Sequence, residues 1–138
     1  QHPTASKSPL TNWIEDKGIR VYKPPHQIDV PILMREFIVA LRKMDVHPIL
    51  KAGIAHIHLV AIHPFVDGNG RTARLLMNFE LMRYSYLPVI IRVEQRLAYY
   101  DALDTAHMSQ NYEPFIQLVA EEEHETLKRY LSVIHGEA

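Results

Sequence analysis

Twelve consecutive residues, His63-Pro64-Phe65-Val66-Asp67-Gly68-Asn69-Gly70-Arg71-Thr72-Ala73-Arg74, gather two of the chain's five glycines, two arginines, one carboxylate and one histidine. Glycines at alternate positions allow unusual backbone angles and let a ligand approach main-chain N–H groups with no Cβ in the way. The string runs directly into an apolar helical pattern, so those N–H groups are expected at a helix N-terminus, where the dipole attracts anions. Arg71 and Arg74 are three apart and share a helix face, from which planar guanidinium donors can reach successive phosphate groups. Asp67, just before the cradle, is placed to hold Mg²⁺ against the same phosphates. His63, expected at the last turn of the preceding helix and fixed there by Pro64, is suited to accept a proton from an attacking hydroxyl, since imidazole is the side chain that ordinarily exchanges protons near neutrality. Phe65 is expected to plug into the core and anchor the loop. The pattern suits transfer of a phosphate-containing group from a nucleotide to an alcohol.

Taken singly, each feature has a commoner explanation: Gly-Asn-Gly is usually a turn, an arginine at a helix start a solvated charge, a histidine before proline a packing residue. Taken together, their chance occurrence is on the order of 10⁻¹⁰ per starting point, so the whole string carries the argument.

The elements that must position this loop are mostly helices. Residues 1–9 read as a loose lead-in segment, rich in Pro, Ser and Thr. Leu10-Thr11-Asn12-Trp13-Ile14 and Ile19-Arg20-Val21-Tyr22 are β-favouring runs separated by Glu15-Asp16-Lys17-Gly18, which predicts a hairpin. Pro24-Pro25 ends it, and Asp29 is a candidate N-cap for a helix to about Met44, with Leu33, Met34, Phe37, Ile38, Leu41 and Met44 at three-to-four spacing. A second helix is expected from Pro48 to Ile62, stopped by Pro64. Further helices are expected over about Arg71 to Tyr84, Val93 to Met108 and Pro114 to Ile134, with an extended stretch from Leu87 to Ile91. The fold class is therefore mainly α with one small hairpin.

The chain has 138 residues, 47% of them hydrophobic, enough for one domain with its own core. A formal net charge of −1 provides no general field for a nucleic-acid backbone, so no nucleic-acid partner is expected. No apolar run reaches membrane-spanning length, so no membrane partner is expected either. The absence of cysteine excludes disulfides, thiolate nucleophiles and Cys-ligated metals, and fits a reducing compartment; a cytoplasmic location is expected. The chain begins with Gln1 rather than Met, which suggests a fragment or processed form.

From His63 to Arg74 the sequence resembles the Fic family, whose signature His-Pro-Phe-x-Asp/Glu-Gly-Asn-Gly-Arg-x-x-Arg is met without a departure. His47-Pro48, Ala61-Ile62, Leu75-Leu76-Met77-Asn78, Leu87-Pro88-Val89-Ile90-Ile91, Glu94-Gln95-Arg96 and Pro114-Phe115-Ile116 are similar to flanking segments of members close to the animal endoplasmic-reticulum Fic enzyme, so that nearly the whole chain is covered. The resemblance implies a Fic-type helical bundle over residues 10–138, with a flap at about 10–23 and a signature loop at 63–74. It implies protein AMPylation, in which a Ser, Thr or Tyr hydroxyl of a target protein attacks the α-phosphorus of ATP and pyrophosphate leaves. By position, His63 would be the general base and Asp67 the Mg²⁺ ligand. Gly68, Asn69 and Gly70 would form the anion cradle, Arg71, Thr72 and Arg74 would bind ATP with them, and Tyr99, Tyr100 and His107 would lie near the adenine. Asn12, Trp13 and Ile14 would belong to the flap that clamps an extended target segment.

Three departures qualify the resemblance. Glu15 stands where the flap often has glycine, and His107 where close relatives have asparagine. Most members also carry Ser/Thr-x-x-x-Glu-Gly/Ala-Asn, whose glutamate pairs with the second arginine, here Arg74. No full copy is present, since Thr11 to Glu15 continues with Asp16-Lys17 and Ser109 to Glu113 with Pro114-Phe115. The inhibitory element is therefore expected upstream, on a separate partner, or absent, with upstream the leading expectation, and this chain is expected to be more active than a longer form that includes one.

Other features read as structural. His56 and His58 are two apart, point about 200° apart on a helix, and cannot chelate one ion from it. The run Glu121-Glu122-Glu123-His124-Glu125 is expected to be a solvated helix face. Trp13 suits either a target anchor or packing onto the domain. Transfer of another phosphate-containing group by the same loop, or a catalytically idle interaction module, are the alternatives the sequence leaves open.

Overall fold

The computed structural model describes the backbone of residues 13–16 and 19–136, and side chains from Tyr22 onward. Asn12 and the lead-in segment lie outside the described residues, as do the side chains of Trp13 and Ile14. Two strands, β1 (Trp13–Asp16) and β2 (Ile19–Tyr22), pair antiparallel with Trp13 opposite Tyr22 and Asp16 opposite Ile19. Pairing thus continues through Glu15 and Asp16, which the sequence assigned to the turn. Five helices follow: α1 (Val30–Lys43), α2 (Pro48–Ile62), α3 (Asn69–Arg83), α4 (Arg96–Ser109) and α5 (Glu113–Ile134). A single 3₁₀ turn over Val93–Gln95 precedes α4, so the expected helix from Val93 is divided at Arg96. No helix among the described residues is long and apolar enough to cross a membrane.

The central element is α2, which touches α1, α3, α4 and α5. Its small residues make this possible: Ala52, Ala55 and Ala61 are fully buried, and a Cβ at Gly53 would collide with Ile116 of α5. Close helix approach at such positions brings the larger side chains of neighbouring helices into contact. Ile57, Met77, Leu81, Tyr99, Leu103, Phe115 and Val119 form one core around α2, and Phe37, Leu41, Leu59, Ile62 and Ala73 form a second under α1. The hairpin docks through Tyr22, whose hydroxyl donates to Ala61 O at 2.7 Å, satisfying a carbonyl in the last turn of α2.

The acidic run on α5 is a solvated face only in part: Glu121 and His124 are exposed. Glu122 and Glu123 are buried, and both serve the extended connector between α3 and α4. Arg92 donates from Nη2 to Glu122 Oε1 at 2.8 Å, and Leu87 N donates to Glu123 Oε1 at 2.7 Å. Asn78 secures the same connector from α3, accepting from Val89 N at 2.9 Å and donating to Val89 O at 3.1 Å. A segment without neighbouring strands needs side-chain partners for its backbone groups, and these residues provide them.

Three histidines are packed inside this frame. His56 is fully buried, His107 is 5% exposed and donates from Nε2 to Ile57 O at 3.2 Å, and His58 stacks on Phe37 with centroids 5.8 Å apart. Burial lowers all three pKa values, to about 3 for His56, where the Arg74 charge adds to the effect. Their folded values lie below the unfolded value near 6.5, so the unfolded chain takes up protons first as pH falls and stability declines. Glu123 acts in the opposite sense, because burial raises its carboxyl. With three histidines against one carboxyl, stability is expected to fall between pH 7 and pH 5, by up to about 1.4 kcal/mol per pH unit for each histidine that titrates, and the melting temperature to drop with it. Thermal denaturation at the two pH values checks this; an unchanged or higher melting temperature at pH 5 would contradict it.

Candidate active site

The end of α2 and the start of α3 are joined by a six-residue bend whose shape depends on one amide. Asn69 is buried at the first position of α3, and its side chain clasps the backbone of Phe65 in both directions. Phe65 N donates to Asn69 Oδ1 at 2.9 Å, and Asn69 Nδ2 donates to Phe65 O at 2.8 Å. Asn69 Nδ2 also lies 3.2 Å from both ring nitrogens of His63, so the amide packs the imidazole against the bend. This corrects the expectation for Phe65, whose side chain is half exposed and anchors nothing. The anchor is its backbone.

His63 itself caps α2, with its N–H bonded to Leu59 O at 3.0 Å and with φ 56°, ψ 59°. A histidine in the left-handed region is uncommon, and the turn it makes directs the side chain out of the helix into solvent-accessible space. Gly68 begins α3 at φ 85°, where a side chain would be strained and a Cβ would lie 3.2 Å from Arg71 Nη2. Gly70 does not share this geometry. The helix starts at Asn69, two residues earlier than the apolar pattern suggested, and Gly70 has ordinary helical backbone. Its lack of a Cβ matters instead through approach, since a Cβ there would meet Arg74 Nη1 at 3.3 Å. The first-turn N–H groups of α3 have no carbonyl within the helix to bond, and they face the bend.

His63, Asp67, Gly68, Asn69, Gly70, Arg71, Arg74, Tyr99 and Tyr100 line one cleft of about 380 Å³. This volume falls within the range of small-molecule sites. Nine of the residues singled out by sequence are thus brought together. Thr72 is not on the cleft; its N–H bonds Gly68 O at 2.9 Å in the first turn of α3. His107 is also elsewhere, buried under α2 with its ring 4.7 Å from that of Tyr22. Val60, Val66 and Leu103 complete the lining and were not anticipated. Val60 stands one turn before His63, and Leu103 one turn after Tyr99, so helical spacing from the residues already identified would have found both.

Asp67 Oδ1 accepts from Gly68 N at 2.8 Å, while Arg71 Nη2 lies 3.5 Å from Asp67 Oδ2 with both side chains largely exposed. Such an exposed pair is worth little, so either group can turn toward a ligand at small cost. Arg74 donates from Nη1 to Tyr99 Oη at 3.4 Å. Among the described residues no three His, Asp or Glu side chains converge as a metal site. A lone exposed carboxylate at the mouth of an anion cradle is nevertheless a fitting partial ligand for Mg²⁺, an ion that commonly takes one or two carboxylates along with phosphate oxygens and water.

Residues 7–81 match the model of the Fic/DOC family. Protein adenylyltransferase Fic of Drosophila virilis is 46% identical over 111 residues, which span 78% of this chain and 23% of that protein. The Culex quinquefasciatus protein of the same name is likewise 46% identical over 111 residues, 22% of its length. The chain therefore spans less than a quarter of these curated relatives. Among solved structures, Fic-1 of C. elegans superposes with a TM-score of 0.77 at 37% identity, covering 86% of this chain and 36% of that one. A Fic family protein of Desulfovibrio desulfuricans gives 0.75 at 28% identity, covering 88% and 39%.

The clasp generates a direct test. Asn69→Ala leaves the Phe65 N–H and C=O without their side-chain partner, and the expected loss is about 1–3 kcal/mol of stability in denaturant unfolding. Asn69→Asp keeps the acceptor but not the donor and should fall between. Wild-type stability in Asn69→Ala would show that the bend does not depend on this amide.

Proposed function

Because this chain belongs to the Fic/DOC family, we propose that it is a protein adenylyltransferase, transferring AMP from ATP to a Ser, Thr or Tyr hydroxyl of a target protein with release of pyrophosphate. The observation that carries this reading is the shared cleft, in which the His63 ring, the start of α3 and both arginines border one space.

In this mechanism the first-turn N–H groups of α3 and the guanidinium groups of Arg71 and Arg74 hold the phosphate chain. They also offset the negative charge that develops as the bond to pyrophosphate lengthens. His63 removes the proton from the incoming hydroxyl, whose oxygen then bonds to the α-phosphorus while pyrophosphate departs. Asn69 packs against the ring and limits its rotation, and the Nδ2 contact gives way when the unprotonated ring nitrogen takes up the hydroxyl proton, so the amide contributes to rate by alignment. Asp67 would hold Mg²⁺, which would neutralise phosphate charge when bound. Tyr99, Tyr100, Val60 and Leu103 provide the apolar and aromatic wall suited to a base, and with His107 buried elsewhere the adenine would be held by these residues without it.

The hairpin is the flap in this reading. An extended target segment would pair along this two-stranded sheet by β-augmentation, and Asn12, Trp13 and Ile14 are the residues proposed to meet it. An inhibitory helix, upstream or on a separate partner, would act on the Arg74 end of the cleft.

The activity is tested by incubating the protein and candidate targets with ATP labelled on the α-phosphate and, separately, on the γ-phosphate. Label from the α position is expected on protein, with a loss of at least about 100-fold in His63→Ala. Transfer of the γ label instead would mean phosphorylation, and transfer of neither would contradict an active transferase.

A further inference from the structure

Tyr99 was expected near the adenine, yet it is almost wholly buried and its hydroxyl is already engaged twice. Tyr99 Oη lies 2.9 Å from His56 Nε2 and 3.4 Å from Arg74 Nη1. A guanidinium can only donate, so the tyrosine oxygen accepts from Arg74 and its own proton must go to another acceptor. His56 Nε2 provides one. That assignment makes His56 a neutral ring with its lone pair on Nε2 and its proton on Nδ1.

His56 is held rigidly for this task. It is fully buried, tilted against Phe115 at 4.8 Å between centroids and edge-on to Tyr99 at 5.5 Å. Its Nδ1 is buried with no hydrogen-bond partner among the described residues. An unsatisfied buried nitrogen lowers stability, and a leucine or phenylalanine would fill the same space without that cost. Packing alone thus gives no reason for an imidazole at this position, whereas an acceptor for Tyr99 does. Burial and the nearby Arg74 charge both favour the neutral ring, which keeps the acceptor available. The three groups come from three elements, α2, α4 and α3, and converge on the cleft wall beside the phosphate cradle.

We propose that His56, Tyr99 and Arg74 form a positioning relay: the buried imidazole accepts the hydrogen bond of the Tyr99 hydroxyl, the phenol oxygen is thereby left as an oriented acceptor, and it holds the Arg74 guanidinium in place for the outer phosphates of the nucleotide. His56 and Tyr99 are positioning residues, acting through Arg74. A long arginine side chain loses considerable rotamer freedom on binding, and a relay that restricts it beforehand improves binding of the group it meets. The inference rests on the nucleotide-binding reading above and extends it to residues behind the cleft.

Calorimetric titration of the wild type, Tyr99→Phe and His56→Leu with ATP and with AMP tests it. Tyr99→Phe and His56→Leu should each weaken ATP binding about tenfold, while AMP, which lacks the outer phosphates, should change less than about twofold. His56→Leu removes the Nδ1 nitrogen but also leaves the buried Tyr99 hydroxyl without its acceptor, so titrations are run at a temperature where thermal melts show each variant fully folded, and weaker ATP binding then does not reflect damaged folding. In an Arg74→Met background, Tyr99→Phe should have no further effect on ATP affinity. Equal losses for ATP and AMP, additivity with Arg74→Met, or unchanged ATP affinity would overturn the relay and leave the cleft assignment standing. If Tyr99→Phe or His56→Leu is too unstable to titrate, His56→Gln supplies an alternative acceptor and should retain most of the ATP affinity; loss there equal to that of Arg74→Met would also overturn the relay. Absence of ATP binding by the wild type would overturn both readings together.

Discussion

One side-chain amide connects the two helices that carry the chemistry. Asn69 opens α3 while gripping the backbone of Phe65 just beyond α2, and so closes the bend from both ends. The rest of the site follows from that closure. His63 can leave α2 in a left-handed conformation because the chain immediately after it is held, and the first N–H groups of α3 face the same space because their helix begins inside the clasp. Without such a restraint, a bend containing glycine and exposed Asp67 would have many shapes of similar energy.

The arrangement separates two kinds of electrostatics. Asp67 and Arg71 lie at the surface, loosely paired, where water screens them and they can rearrange around a ligand. Arg74 is tied to a tyrosine whose other partner is a buried histidine, and it has far less freedom. A cleft built this way meets an incoming phosphate chain with mobile charge at its mouth and fixed charge at its wall. Pairs outside the cleft lining, partly exposed Arg92 with buried Glu122 and buried Lys51 near Tyr84 and Glu80, serve the connector and the packing of α2 on α3.

The helices and the signature loop were legible from sequence because both are written in local terms. Helix α2 shows its boundaries through Pro48 and Pro64, and the loop residues lie within twelve positions of one another. Phe65 looked like an anchor by its side chain, whereas Asn69, four residues on, takes its backbone instead. The rest of what escaped notice depended on partners distant in sequence. Glu122 and Glu123 looked solvated because the segment they satisfy begins 36 residues earlier than Glu123, at Leu87. His107 followed a family position rather than a physical signal, and in this fold its ring is enclosed by Tyr22 and Ile57. His56 gave no indication of its link to Tyr99, 43 residues away.

The central claim is that phosphates are held by the start of α3 beside His63. Backbone amide chemical shifts recorded during titration with ATP and magnesium test it most directly. The largest changes are expected at Gly68, Asn69, Gly70 and Arg71, together with the His63 ring resonances. Saturable shifts centred elsewhere on the bundle, with these amides unmoved, would contradict the account.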